Sequence, residues 1–507
     1  MHRDETSRVM KRNSQEAVFS IVSPISIKTV ETANCPTVQT TNAQAAPAAV
    51  DASPRIVPAI PPDLESTALG FFFHHYGRAN TGRDIEGTCS FFGFLPAMYA
   101  RESVSSPLSR AIAAFAVIVA NLYTPRRSSA TSVCQFYADS VAGTKRAVAD
   151  PTRSKSDELL MTTLVLEAYE GIASSFQRRR QLHAHALGSI ALLKHRGALN
   201  GRSELSRRMV IAVGGRFVRD AVGGLANIAA VHRLWEDSGV MRLQSPAIRA
   251  DILALELAQL ECLQRSLSAI PPPRGAQDSA AEADPYLSIL SKASDLAGRC
   301  MRWRNTLSRE WKSCPVFCYT LAPSIHAAGV YSSPMPSRPH CDVYRNLSVA
   351  NTLNCHRITE LRNLALIRTS LAAISADRSR HYSPLPFDLA EMAQLLLDEI
   401  CASVPFFAGD VTNFTDLYAN YRIQLPHMAV PRSPWGPPDN LTEFLEDEAG
   451  YTQQVVTSGM WMIHGTLAAA LELVAENQPL GTVPREGQVW WIRGQLSRLQ
   501  AVFMISC

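Results

Sequence analysis

Between Leu159 and Gly197 the chain places apolar residues at helical spacing twice in succession, and this stretch restricts the fold more than any other. Leu160, Leu164, Ala168 and Ile172 make one row, and Val165, Tyr169, Ile172 and Phe176 make the next, so the buried stripe is broad. After a basic patch at Arg178, Arg179 and Arg180 the row resumes at Leu182, Ala186, Ile190 and Leu193, ending in Lys194-His195-Arg196-Gly197. Cations in a last turn favour the negative end of a helix, and glycine just beyond accepts a left-handed backbone without a Cβ penalty. The stretch therefore predicts a helix pair, and a chain built on it must stack helices on helices.

The flanking sequence continues the pattern. Ahead of it, Pro107 opens the run AIAAFAVIVANLY, apolar nearly all round, as a helix surrounded by other helices must be. A helix is expected over 133–148, ended by Asp150-Pro151, with Ser156-Asp157-Glu158 starting the next. Beyond Gly197, Ser203-Glu204 caps a helix that Gly214-Gly215 is expected to interrupt. Further helices are predicted over 248–267, 287–307, 343–374 and 387–400, then before Val474 and from Trp490, with loops over 323–339 and 407–446. Short spacing between successive helices predicts an all-α, multi-helix array.

Domain limits follow from composition. Residues 1–62 are rich in Ser, Thr, Ala and Pro, bury too little apolar surface to offset their ordering entropy, and are read as a disordered arm before a helical domain at 63–507. Pro271-Pro272-Pro273 and the polar run after it mark an expected subdomain boundary near 270–285. Single cores seldom grow beyond about 250–300 residues, so 507 residues at 46% hydrophobic content allow one large core or two. A formal charge of +4 leaves no global footprint for nucleic acid, membrane or acidic substrate. The apolar run 111–119 is far short of the about 20 residues a bilayer span needs, so a soluble chain is expected.

Spacing discriminates among several chemistries. Eleven irregularly spaced cysteines, and an opening MHRDETSRVMKRNSQ without an apolar signal core, predict a reducing compartment and buried thiols rather than disulfides. His74 and His75 are adjacent and would point about 100° apart on a helix, which does not suit one metal ion. Cys314 and Cys318, four apart, would share a helix face, but His340, Cys341, Cys355 and His356 lack zinc-finger spacing, so no metal or other cofactor is expected. Gly214-Gly215 and Gly223-Gly224 lack the strand, spacing and lysine of a phosphate loop. Cys401 with His427 does not complete a recognisable catalytic set, and without convergent acids and bases no enzyme is predicted.

Three segments carry a resemblance. Leu166-x-x-Tyr169-Glu170 is followed by His185-x-x-Gly188, Leu192-Leu193 and Arg196-Gly197, with Leu182 where a tryptophan is usual. Glu399-Ile400-Cys401-x-Ser403-x-Pro405 comes second, and Gly459 to Gly465 with Trp490-Trp491-Ile492 comes third. In this order they resemble the helical regulatory domain of fungal zinc-cluster transcription factors, over most of 63–507. That family places six paired cysteines ahead of this domain, whereas residues 1–62 hold only Cys35, and one thiolate cannot close a structural zinc site.

The resemblance implies a nuclear regulator of fungal pathway genes that reaches DNA indirectly. Its partners would be the transcription machinery or a DNA-binding protein, with a small-molecule effector and a second copy of the chain also admitted. A non-DNA-binding scaffold or inhibitor of a related factor is the alternative, and a helical enzyme acting on an apolar metabolite ranks behind it. Tyr169, Glu170, His185, Gly188, Arg196 and Gly197 carry the first segment. Their expected roles are structural: a buried hydroxyl, a Glu170–His185 polar pair, close packing at Gly188 and a helix cap.

Overall fold

Among the described residues the chain forms fourteen α-helices and one two-stranded antiparallel sheet, the all-α array that the spacing predicts. The computed structural model describes residues 64–76, 90–123, 130–177, 184–221, 228–242, 245–269, 285–317, 340–374, 387–409, 451 and 455–503. Two units divide the chain, Met1–Pro62 and Asp63–Cys507, and all described residues belong to the second. The expected arm, the boundary segment 270–284, the patch at 178–180 and the loops 323–339 and 410–446 lie outside the described residues.

The first half is laid down by α1 (Leu64–His75), α2 (Leu95–Tyr99), α3 (Pro107–Tyr123), α4 (Ala130–Ala149), α5 (Asp157–Gln177), α6 (Ala184–Arg196), α7 (Glu204–Ala221) and α8 (Ile228–Ser238). Helix α3 is the central member: Ala111, Ile112, Ala113, Ala114, Ala116 and Val117 are fully buried, and α1, α4 and α5 all pack on it. Phe115 of α3 receives the edge of Phe72 at 5.3 Å and stacks on Phe92 at 5.7 Å, so the aromatic run of α1 is core. His75 belongs to the same cluster, buried with its ring 4.4 Å from that of Phe71.

Local signals act as expected at several ends. The Ser156 hydroxyl accepts from the Leu159 amide at 3.1 Å at the start of α5, and Ser203 accepts from Ser206 at 3.0 Å at the start of α7. Gly197, just past α6, has φ +53°, the left-handed cap. Helix α7, however, runs through Gly214 without interruption. Glycine there serves a close approach: a Cβ on Gly214 would lie 1.8 Å from Nε1 of the buried Trp235 on α8.

The second half comprises α9 (Pro246–Ser268), α10 (Pro285–Thr306), β1 (Cys314–Phe317), β2 (His340–Val343), α11 (Leu347–Ala373), α12 (Leu389–Ala408), α13 (Met460–Val474) and α14 (Gln488–Phe503). Helices α9, α10 and α11 pack mutually, α12 lies on α11 and β2, and α13 joins α11, α12 and α14. The helix expected around Cys314 is instead strand β1, with Cys314 opposite Val343 and Val316 opposite Cys341. Pro315 lies in that strand, where the fixed φ of proline suits extended backbone better than helix interior.

Val343 accordingly belongs to β2, and α11 starts four residues later, where Asn346 accepts from the Val349 amide at 2.9 Å. Helix α12 starts on Asp388, whose carboxylate accepts from the amides of Ala390 at 2.7 Å and Glu391 at 3.1 Å. It then continues past the expected end, through Pro405, to Ala408, because Val404, Phe406 and Phe407 are fully buried and burial outweighs the lost amide. One contiguous hydrophobic cluster links residues from α1 to α14.

Candidate functional site and its polar networks

The sequence-nominated residues first form a knot between α4, α5 and α6. Glu170 projects from the last turns of α5 toward His185 in the first turn of α6, with Glu170 Oε1 3.2 Å from His185 Nε2. Tyr137 of α4 completes the group by donating its hydroxyl to Glu170 Oε1 at 2.6 Å. Burial and the adjacent Glu170 carboxylate raise the Tyr137 hydroxyl far above its ordinary range, so it remains a donor. The Tyr169 ring stacks on Tyr137 at 4.9 Å, and its hydroxyl is pushed up to about 12 by burial, then by Cys134 and Glu170. The expected Glu170–His185 pair is present, whereas the hydroxyl that Glu170 holds is that of Tyr137.

Arg196 does more than complement a helix end. It is 5% exposed and donates to the Ser156 carbonyl at 2.5 Å, to Asp157 Oδ1, to Asn200 Oδ1 at 3.1 Å and to Ser206 Oγ at 3.2 Å. One guanidinium thereby joins the start of α5, the end of α6 and the start of α7. Close packing expected at Gly188 is not found: a Cβ there meets nothing within 4 Å.

A second polar network, centred on α11, went unseen at the sequence level. Arg357 is buried and donates through Nε to Glu399 Oε2 at 2.9 Å, and through Nη1 to the Tyr344 hydroxyl at 2.9 Å and Asn354 Oδ1 at 2.7 Å. Its Nη2 lies 3.8 Å from Asp342 Oδ2. The other oxygen of Glu399 accepts from Arg304 Nη2 of α10 at 2.6 Å. Asn354 in turn donates to Ser403 Oγ at 2.9 Å. Glu399 and Ser403, both in the second resembling segment, therefore fasten α12 to α11 and α10.

One carboxylate in this region is poorly matched. Glu360, 5% exposed, has its Oε1 3.6 Å from Arg304 Nη1 and 3.4 Å from His356 Nε2, contacts longer than Arg304 makes with Glu399. Oε1 of Glu360 and Oδ1 of the fully buried Asn363 have no hydrogen-bond partner among the described residues. Burial pushes the Glu360 carboxyl up to about 7, against an opposing pull from Arg304. His356, its ring 4.0 Å from that of Trp303, is pushed down to about 3 by burial and then by Arg304, so it is neutral at physiological pH. The count is then two arginines, Arg304 and Arg357, against three carboxylates, Asp342, Glu360 and Glu399.

Glu360 and Asn363 border a narrow crevice between α10, α11 and the start of α12, whose free space of about 10 Å³ is that of one water molecule. Its other walls are Ala297, Met301, Leu364, Phe387 and Met392.

A further network ties α12 to the start of α14. Asp398, fully buried, accepts from Arg485 Nη2 at 2.9 Å and from Gln488 Nε2 at 3.1 Å. The same Gln488 amide lies 3.7 Å from Cys401 Sγ. Cys401 thus packs against the start of α14, while His427 lies outside the described residues.

Among the described residues no group of three or more His, Cys, Asp or Glu side chains is placed to hold a metal ion. Nor, among them, is any helix long and apolar enough to cross a membrane. No family model, curated protein or solved structure matches the chain.

Proposed function

We propose that the chain is a transcriptional regulator of fungal pathway genes, in which the helical unit at 63–507 responds to a small molecule or a partner protein. It works in the nucleus and reaches DNA through a DNA-binding partner. The reading rests on the three resembling segments, and one observation supports it beyond their order in sequence. The helices that carry the second and third segments pack together, and Gln488, two residues before Trp490, bonds Asp398, directly before the Glu399-to-Pro405 motif, and approaches Cys401 within that motif.

The mechanism is a shift in helix packing. Arg304, Arg357 and Glu399 join α10, α11 and α12. A ligand or partner changes the balance between two packings only through its differential affinity for them, and a directional charged joint is suited to separate two such packings.

The deciding experiment is chromatin immunoprecipitation of the tagged chain in its host, paired with binding of the purified chain to any enriched DNA. Enrichment at discrete promoters without direct binding is the expected outcome. A chain that enriches nowhere and stays in the cytoplasm would overturn the proposal.

A further inference from the structure

We infer that the crevice between α10, α11 and the start of α12 is the site of a single ordered water molecule, which donates one hydrogen to Glu360 Oε1 and the other to Asn363 Oδ1. The water would tie two members of the polar stripe of α11 together inside the core. The inference stands on local geometry and is independent of the regulator reading.

Both side chains are more than nine-tenths buried, and both oxygens lack a hydrogen-bond donor among the described residues. Asn363 has committed its amide nitrogen to the Ala293 carbonyl at 2.8 Å, so its oxygen is what remains for the crevice. A buried acceptor without a donor has lost its hydration and gained nothing in return, and native interiors supply such atoms with a protein group or an ordered water.

Size selects the donor. The free space of about 10 Å³ admits one water molecule and no organic ligand. Residues three apart on a helix have Cβ atoms about 5–6 Å apart, a span that two hydrogen bonds of about 2.8 Å to one shared atom can cover. Water carries two donor hydrogens on that atom, so one molecule serves both acceptors.

Charge selects it as well. The groups that face Glu360 are Arg304 and Cys300 of α10, His356 and Arg357 of α11, Glu399 of α12, and Asp342 of β2 through Arg357. Arg304 Nη1, 3.6 Å from Oε1, already supplies a cation, and a second one in the crevice would be repelled by it. Yet Arg304 makes its close bond to Glu399 at 2.6 Å, and Arg357 directs its donors to Glu399, Tyr344 and Asn354. His356 Nε2 lies 3.4 Å from Oε1 without completing a hydrogen bond. What Glu360 lacks is a neutral donor. Burial places its titration at about 7, so that donor must suit both forms of the carboxyl. Water donates to the ionised oxygen, and it accepts from the protonated one while still donating to Asn363.

The test is a high-resolution crystal structure of the full chain at pH 6 and at pH 8, on either side of that titration, with rubidium as the monovalent cation at pH 8. Expected at both is one density peak within hydrogen-bond distance of Glu360 Oε1 and of Asn363 Oδ1, with no rubidium anomalous signal. Oxygen-17 relaxation dispersion reads the same site in solution. Ala297→Val, which extends one wall into the crevice, should lose one long-lived water relative to the parent. Circular dichroism shows whether that variant is folded; should it fail, the density in the parent decides alone. A crevice closed by Met301 or Met392, a peak absent at one pH or both, a peak bonded to only one of the two oxygens, a rubidium signal at the site, or an unchanged water count in the folded variant would each overturn the inference.

Discussion

Replacing Glu360 with glutamine should stabilise the protein at pH 8 relative to pH 5, against the usual expectation that a buried polar substitution harms a core. Glu360 titrates at about 7 in the folded chain against 4.5 for the free side chain, because burial disfavours its charged form. The native state thus binds more protons than the unfolded state between those values, and stability falls as pH rises through the window. The contribution is complete below 4.5 and lost above 7. At about 1.4 kcal/mol per pH unit the loss between pH 5 and pH 8 comes to about 2–3 kcal/mol. Glutamine keeps the shape of the protonated acid and does not ionise. His356 acts in the opposite direction: held near 3 against 6.5, it contributes stability above 6.5 that is lost as pH falls. That effect is common to both proteins and cancels when they are compared. Urea unfolding of each at pH 5 and pH 8 measures the difference, and the glutamine variant should gain about 2–3 kcal/mol on the parent as pH rises. A difference independent of pH, or a relative loss for the variant at pH 8, would show that Glu360 is already well compensated in the fold.

Arg357→Met retains much of the side-chain volume but removes the donors to Glu399, Tyr344 and Asn354, leaving buried acceptors and a carboxylate unmatched. It should cost about 3–5 kcal/mol, read as a lower urea midpoint, and a midpoint equal to the parent's would refute the account of the α11–α12 joint. Gly214→Ala gains up to about 1 kcal/mol in helix propensity but drives its methyl into the Trp235 ring. The clash dominates, and a net loss of about 1–3 kcal/mol is expected in the same assay, against a net gain if Trp235 can move aside.

What the sequence discloses depends on whether a signal is local. The caps at Ser156, Ser203 and Gly197 and the buried run of α3 were legible because each depends on a few neighbouring residues or on periodicity alone. Gly214 misled because glycine is also a helix breaker, and only the position of Trp235 on the next helix reveals what it accommodates. Cys314 misled because spacing of four fits a helix, whereas the pairing of β1 with β2 is set by residues far along the chain. The polar network on α11 was hidden for a further reason. In α11, Asn354, Arg357, Glu360 and Asn363 recur every three residues, the pattern of a solvated face. All four are buried, more so than the apolar Ile358 that was expected in the core. Periodicity cannot separate a polar stripe facing water from one facing Arg304 and Glu399. Complementary charges on the neighbouring helices were the available signal, and they acquire meaning only once the helices are known to pack together.

The α11 stripe also bears on how freely the helices of this array can slide past one another. Apolar contacts between helices are tolerant of small sliding, because dispersion and burial depend weakly on direction. The Arg357 contacts are directional: its guanidinium reaches Glu399 on α12 and the Tyr344 hydroxyl ahead of α11, while Arg304 brings α10 to the same carboxylate. A displacement of α12 along α11 would break these contacts together and leave charges buried, so intermediate packings are disfavoured. Glu360 lies on this joint, one turn from Arg357, with Arg304 Nη1 3.6 Å from its Oε1. Protonation of Glu360 alters how strongly Arg304 is shared between Glu360 and Glu399. The charge on Glu360 is thereby coupled to the contact that sets the register of three helices.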